Sequence, residues 1–203
     1  MTEPGDVLLD RAKLERAFTA LGERLARRGV VADVFIVGGA AMALAYDATR
    51  ATRDVDSLFV PHGVVLEEAR NVAEELGLPP WWLNEQASVY ISGKDDPGKR
   101  RVFDHPGLRV TAASPTHIFA MKALAARTRD IDDLRLLAGM IGVDSAEAAV
   151  QVHLPQDRRD HRRQGVAAHR RMLEQVAGLQ RGDDVPTVPG HVHMAEINAR
   201  LGI

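Results

Sequence analysis

Apolar residues near the N-terminus recur at helical spacing. Leu9, Leu14, Phe18, Leu21 and Leu25 share one face, which predicts a helix over 8–28, stopped by Gly29. Val34, Phe35, Ile36 and Val37 form a short apolar run that predicts a buried strand. Gly38-Gly39 then turns the chain into a helix over 40–46, and a loop at 47–53 leads to a second strand over 55–60. Pro61 and Gly63 end that strand. A helix over 64–76 follows, closed by Gly77 and Pro79-Pro80.

The pattern changes over 81–112, where turn signals at 93–98 and 105–107 separate short runs. Strands are predicted at 88–91, 101–103 and 108–111. Ser114-Pro115 supplies an N-cap and a proline at the first helical position. That helix is predicted to reach about residue 128. Another runs from Asp130 or Asp132 to about Ile141 and ends at Gly142, and Asp144-Ser145 caps the next. A basic helix is expected over 157–179, before an irregular tail rich in Pro, Gly and His. Helices and strands alternate first, then strands, then helices, which gives an α+β (mixed α/β) class. The expected division is a strand-containing domain at 1–112 and a helical one at 113–203.

Composition narrows the chemistry. The 203 residues are 45% hydrophobic but only 4% aromatic, so the core is built from Leu, Val, Ile and Ala. There is no cysteine, which excludes thiol catalysis, disulfides and thiolate zinc sites and fits a cytoplasmic home. The acidic, amphipathic N-terminus is unlike a signal peptide, and the longest apolar stretch, 34–46, is too short to span a bilayer. A net charge of −2 means that contact with nucleic acid requires a local basic patch. The strongest such patch is Arg158, Arg159, Arg162 and Arg163 with His169, Arg170 and Arg171. Trp81-Trp82 offers either a stacking surface or loop packing, and His191 with His193 is read as part of an exposed tail.

The candidate chemistry lies in 37–56. Alternate residues of a strand face the same side, so Asp54 and Asp56 share a face while Val55 enters the core. Two carboxylates at one strand end suit a hard cation such as Mg²⁺, and two such ions can clamp an in-line phosphoryl displacement. Gly38-Gly39 allows backbone N–H groups close to phosphate oxygens. Arg50 and Arg53 are near enough in sequence to reach the same triphosphate. Ser57 follows directly, with either a place at the site or a packing role.

This order of strand, Gly-Gly turn, helix and Asp-x-Asp resembles the polymerase-β-like minimal nucleotidyltransferases. The match to Arg-x-Thr-x-Asp-hydrophobic-Asp, through Arg50, Thr52, Asp54, Val55 and Asp56, looks closest to the AbiEii/MenT-type toxin branch. A second signature is Lys122 followed by Arg129-Asp130-Ile131-Asp132-Asp133-Leu134. The resemblance covers roughly residues 30 to 140 and implies a twisted mixed sheet flanked by helices, with a C-terminal helical part.

The resemblance also implies roles. Asp54 and Asp56 would bind metal, two Mg²⁺ ions with Mn²⁺ as an alternative. Gly38, Gly39, Thr52 and Arg53 would face the NTP. Lys122 would contact phosphate or the leaving pyrophosphate, and Asp130 or Asp133 would supply a later carboxylate. Asp104 is the nearest candidate for a third metal carboxylate on a later strand, and Gly39 stands where a serine is the common alternative. The expected activity is transfer of NMP from an NTP to a hydroxyl acceptor. By resemblance the acceptor is the 3′ end of tRNA or another RNA, in a toxin with a cognate antitoxin partner. The alternatives are a protein or small-molecule hydroxyl, or a degenerate fold that serves as a binding or antitoxin module.

Overall fold

Asp10, not Leu8, opens the first helix. Its side chain accepts from the Lys13 N–H, and α1 runs Arg11–Arg27. Leu9 is instead drawn into a two-residue bridge with Thr52, through Leu9 N–H to Thr52 O at 2.7 Å and Thr52 N–H to Leu9 O at 3.0 Å. The computed structural model describes residues 7–91, 95–125 and 127–143. Asp144-Ser145, the expected basic helix at 157–179, the arginine patch and the histidine tail lie outside the described residues.

The chain divides into two compact units, Met1–Met121 and Lys122–Ile203. The first is built on a five-stranded mixed sheet of order β3-β2-β1-β5-β4. Its strands are β1 (Ala32–Ile36), β2 (Val55–Val60), β3 (Leu83–Asn84), β4 (Arg100–His105) and β5 (Leu108–Ala112). β2 is antiparallel to β1 and parallel to β3; β5 is parallel to β1 and antiparallel to β4. This is the mixed α+β sheet that the sequence pattern and the resemblance imply.

Alternation decides which side is covered. Ala32, Val34 and Ile36 of β1, Val55 and Phe59 of β2, and Leu108, Val110 and Ala112 of β5 are all buried. α1 and α3 (His62–Leu76) pack against each other and against the strands. They bury Leu14, Phe18, Leu21, Leu25, Val65 and Val72. Phe18 meets Trp82 and Phe103 at ring separations of 6.0 and 5.7 Å. Trp82 is fully buried and donates its indole N–H to Ala69 O at 2.9 Å, so it is loop packing, as one of its two readings has it. The alternate positions Asp33, Phe35, Asp56, Leu58 and Val60 belong to the opposite side of the sheet. There Asp33 holds Arg109 across the β1–β5 register at 2.6 Å.

Two expectations fail locally. Residues 86–90 form a 3₁₀ turn, Gln86–Tyr90, and the strand of this region is the two-residue β3 just before it. The Asn84 side-chain oxygen accepts the Gln86 N–H at 2.9 Å, and this local bond takes the chain away from the ladder after two pairs. The helix expected over 40–46 begins earlier, as α2 (Gly38–Ala41), and widens into a π-helical turn over Met42–Tyr46. α4 spans Pro115–Ala125. In the second unit, a 3₁₀ turn at Thr128–Asp130 leads into α5, Ile131–Ile141, which ends on Gly142 at φ 71°. No described helix is long and apolar enough to cross a membrane.

Candidate active site

The strand over 55–60 forms as the sequence predicts, and its ladder fixes the carboxylates. Val55 is fully buried, while Asp56 stays half-buried on the other side. Asn84 is registered beside Asp56 on β3, so both project from the same face. Asn84 donates its amide Nδ2 to Asp54 Oδ2 at 3.0 Å. Asp54, one residue ahead of the strand, is thereby tied to the side chain registered beside Asp56.

The glycine turn meets these residues directly. Val37 N–H donates to Asp56 O at 3.0 Å, holding the end of β1 against the start of β2. Gly38 has φ 60°, a left-handed conformation costly for a residue with a Cβ. A Cβ at Gly38 would lie 3.3 Å from Asp56 Oδ2. At Gly39 a Cβ would lie 2.5 Å from Thr52 Oγ1 and 2.9 Å from Thr52 Cβ. Thr52 cannot easily yield, because its backbone is bridged to Leu9 and its hydroxyl donates to Asp54 O at 3.1 Å. Glycine rather than serine at 39 thus follows from packing: a threonine hydroxyl already occupies that space.

The cations differ in engagement. Arg53 is exposed and makes no hydrogen bond or ion pair among the described residues. Arg50 pairs with Asp47 at 3.3 Å. Hydrogen bonds from Thr49 hold the Asp47 carboxyl below its ordinary range, with Arg50 adding to them. Ser57 is fully buried on the core side, where its hydroxyl donates to Asn84 O at 3.1 Å. It fastens β3 to β2 and does not share the carboxylate face. Asp104 lies on β4, which two strands, β5 and β1, separate from β2; it is exposed and pairs with Arg101 at 3.1 Å. The neighbour of Asp56 on the adjacent strand is an amide, Asn84, which sequence reasoning missed. Its β-strand is only two residues long, too short to leave a periodic signal.

In the second unit Lys122 is clasped by two acids, with Nζ at 2.6 Å from Asp130 and 2.8 Å from Asp133. The three side chains are only 11, 11 and 14% exposed. Asp132 instead faces solvent and pairs with Arg135 at 2.8 Å.

The donor set can be tested against a divalent ion. No cluster of three or more acidic or histidine side chains fit to hold a metal occurs among the described residues. Mg²⁺ dehydrates reluctantly and is commonly held by one or two carboxylates, several waters and the substrate's phosphates. Asp54 and Asp56 suit that mode of binding, with the nucleotide supplying the remaining oxygens. A cage made of protein alone is not present among the described residues.

Neither a curated protein nor a solved structure matches the chain. Residues 12–145 match a family described as nucleotidyltransferase of unknown function (DUF6036). The match takes in both units' described motifs and more than half of the sequence, and the chain belongs to this nucleotidyltransferase family.

Proposed function

We propose that the protein transfers NMP from an NTP to a hydroxyl acceptor in a magnesium-dependent reaction centred on Asp54 and Asp56. The observation that carries this reading is the close approach of Asp56 Oδ2 to Gly38, 3.3 Å from where a Cβ would stand, at a turn whose φ of 60° favours glycine. A carboxylate pair and a turn without side chains thus stand next to each other, as a metal-bound triphosphate requires. Membership in a nucleotidyltransferase family supports the same class of reaction.

The acceptor oxygen bonds to the α-phosphorus as the bond to pyrophosphate breaks, and the hydroxyl proton passes to solvent. Asp54 and Asp56 supply oxygen ligands, and Asn84 fixes the orientation of Asp54. Gly38 and Gly39 let the backbone approach the phosphates, while Thr52 and Arg53 stand beside that turn. Magnesium held there, or manganese in its place, would activate the attacking oxygen and neutralise the triphosphate. Resemblance alone gives Lys122 a phosphate contact and Asp130 or Asp133 a later-carboxylate role; their mutual ion pairs favour a structural role for the three. Resemblance to the AbiEii/MenT branch makes the 3′ end of tRNA the first acceptor to try, with a toxin–antitoxin role and a cognate antitoxin as its corollaries.

Incubation with each labelled NTP, Mg²⁺ and total RNA tests this. Label should enter small RNAs, and Asp54→Ala or Asp56→Ala should abolish it. Labelling that survives Asp54→Ala defeats the assignment. If NTP with Mg²⁺ leaves the melting temperature of the native protein unchanged, a binding module replaces the enzyme.

A further inference from the structure

A groove runs along the β3 edge of the sheet, between α3 and the segment that leads into β3. Leu66 and Arg70 line one wall, with Pro80, Trp81, Asn84 and Glu85 on the other. We propose that this groove holds the base of the acceptor's terminal nucleotide, stacked on Trp81 with its phosphate against Arg70. The proposal rests on the nucleotidyltransferase reading above and names the acceptor as single-stranded nucleic acid.

Four observations converge on it. First, the two adjacent tryptophans have opposite fates. Trp82 is fully buried and hydrogen-bonded, whereas Trp81 is 48% exposed on the rim of the groove. An exposed indole plane is a sequence-tolerant surface for base stacking. Second, Arg70 is exposed and makes no ion pair or hydrogen bond among the described residues. By contrast Arg24 and Arg28, which also lie against α3, are both taken up by its glutamates. A guanidinium left unpaired beside an aromatic face suits a phosphodiester.

Third, the groove and the carboxylates share a residue. Asn84 lines the groove, donates Nδ2 to Asp54 Oδ2 at 3.0 Å and to Trp81 O at 3.2 Å. A ligand in the groove therefore lies one side chain away from Asp54. Fourth, the strand order sets which partner it is. The sheet runs β3-β2-β1, with the carboxylates at β2 and the glycine turn at the end of β1. In-line displacement puts the attacking oxygen and the leaving pyrophosphate on opposite sides of the phosphorus. If the triphosphate lies on the β1 side by Gly38-Gly39, the acceptor comes from the β3 side, where the groove is. Its volume of about 280 Å³ falls at the small end of ligand clefts, so it suits a single ring system and not a whole NTP.

The protein carries its own probe, because its only two tryptophans are Trp81 and Trp82. A single-stranded ribotrinucleotide with a free 3′-hydroxyl, added without metal or NTP, should quench the fluorescence of the native chain. The abasic trinucleotide should not, and Trp81→Phe should bind with no more than about threefold weaker affinity while losing most of the quench. Trp81→Ala and Arg70→Ala should each raise the acceptor KM by about tenfold with kcat little changed, Arg70→Ala also flattening the salt dependence. Quenching by ATP or GTP alone, with none from the trinucleotide, would assign the groove to the incoming nucleotide and overturn the proposal. Equal KM values for native, Trp81→Ala and Arg70→Ala proteins would also overturn it, while transfer that still depends on Asp56 would leave the enzymatic reading standing. Conversely, trinucleotide quenching in a native protein that transfers label from no NTP would uphold the groove and remove the enzymatic reading.

Discussion

Two acidic groups in this chain come from similar sequence signals and end in opposite physical states. Asp54 and Asp56 sit at a strand end, and the only side-chain bond described for Asp54 is from an uncharged amide. Asp130 and Asp133 close on Lys122 at salt-bridge distance, with all three side chains largely withdrawn from water. The Asp54 carboxylate, bonded by a neutral amide, receives no compensating charge from that partner. Carboxylates that share a buried ammonium have their charge balanced internally, and breaking that balance exposes a large desolvation cost. The second arrangement holds a helix junction together, and the first is the one that we propose receives a cation.

The contrast predicts which readout each substitution moves. Asp54→Ala and Asp56→Ala should lower transfer by more than about 10³-fold. Asp54→Ala gives up one hydrogen bond and should cost no more than about 1 kcal/mol in urea unfolding. Lys122→Met should do the reverse, losing about 3–5 kcal/mol of stability by stranding two buried acids. A Lys122→Met protein that melts normally and transfers nothing would put the amine on the phosphates and erase the contrast.

Smaller changes sharpen the boundary around the first group. Gly39→Ser should cost about 1–3 kcal/mol through its clash with Thr52, and Thr52→Gly in the same chain, which removes both Oγ1 and Cβ, should relieve more of that clash than Thr52→Ala, which keeps the Cβ. A double-mutant cycle in which Gly39→Ser costs nothing, with or without Thr52→Gly, would mean that the turn relaxes. The smallest expected effect is a pH dependence. Burial holds His117 on α4 below its ordinary 6.5, against the partly opposing pull of Asp96, and the ring packs edge-on to Phe35 at 5.8 Å. Between the folded and unfolded values the unfolded chain carries the proton and the folded one does not. Stability should therefore be full above pH 6.5 and fall below it, by at most about 1.4 kcal/mol per pH unit. His117→Gln should flatten that slope in thermal melts.

Legibility followed the range of the interactions. The 55–60 strand and the glycines that end α3 and α5 were readable because each depends on residues a few positions apart. The start of α1 was misread by a few residues because Leu9 answers to Thr52, 43 positions away, rather than to its own helix. Asn84 escaped notice for a related reason: it matters only because β3 lies beside β2.

Sequence by itself determined the periodicities, the caps and the one local unit in which glycines, arginines and two acids follow one another. Tertiary structure decided the rest: that Ser57 turns into the core and Asn84 beside Asp56, that residue 39 must be glycine because Thr52 fills the space, and that Trp81 stays outside while Trp82 goes in. Backbone preference acts over a few residues, whereas burial, register and steric exclusion are set by whichever distant strand or helix arrives alongside.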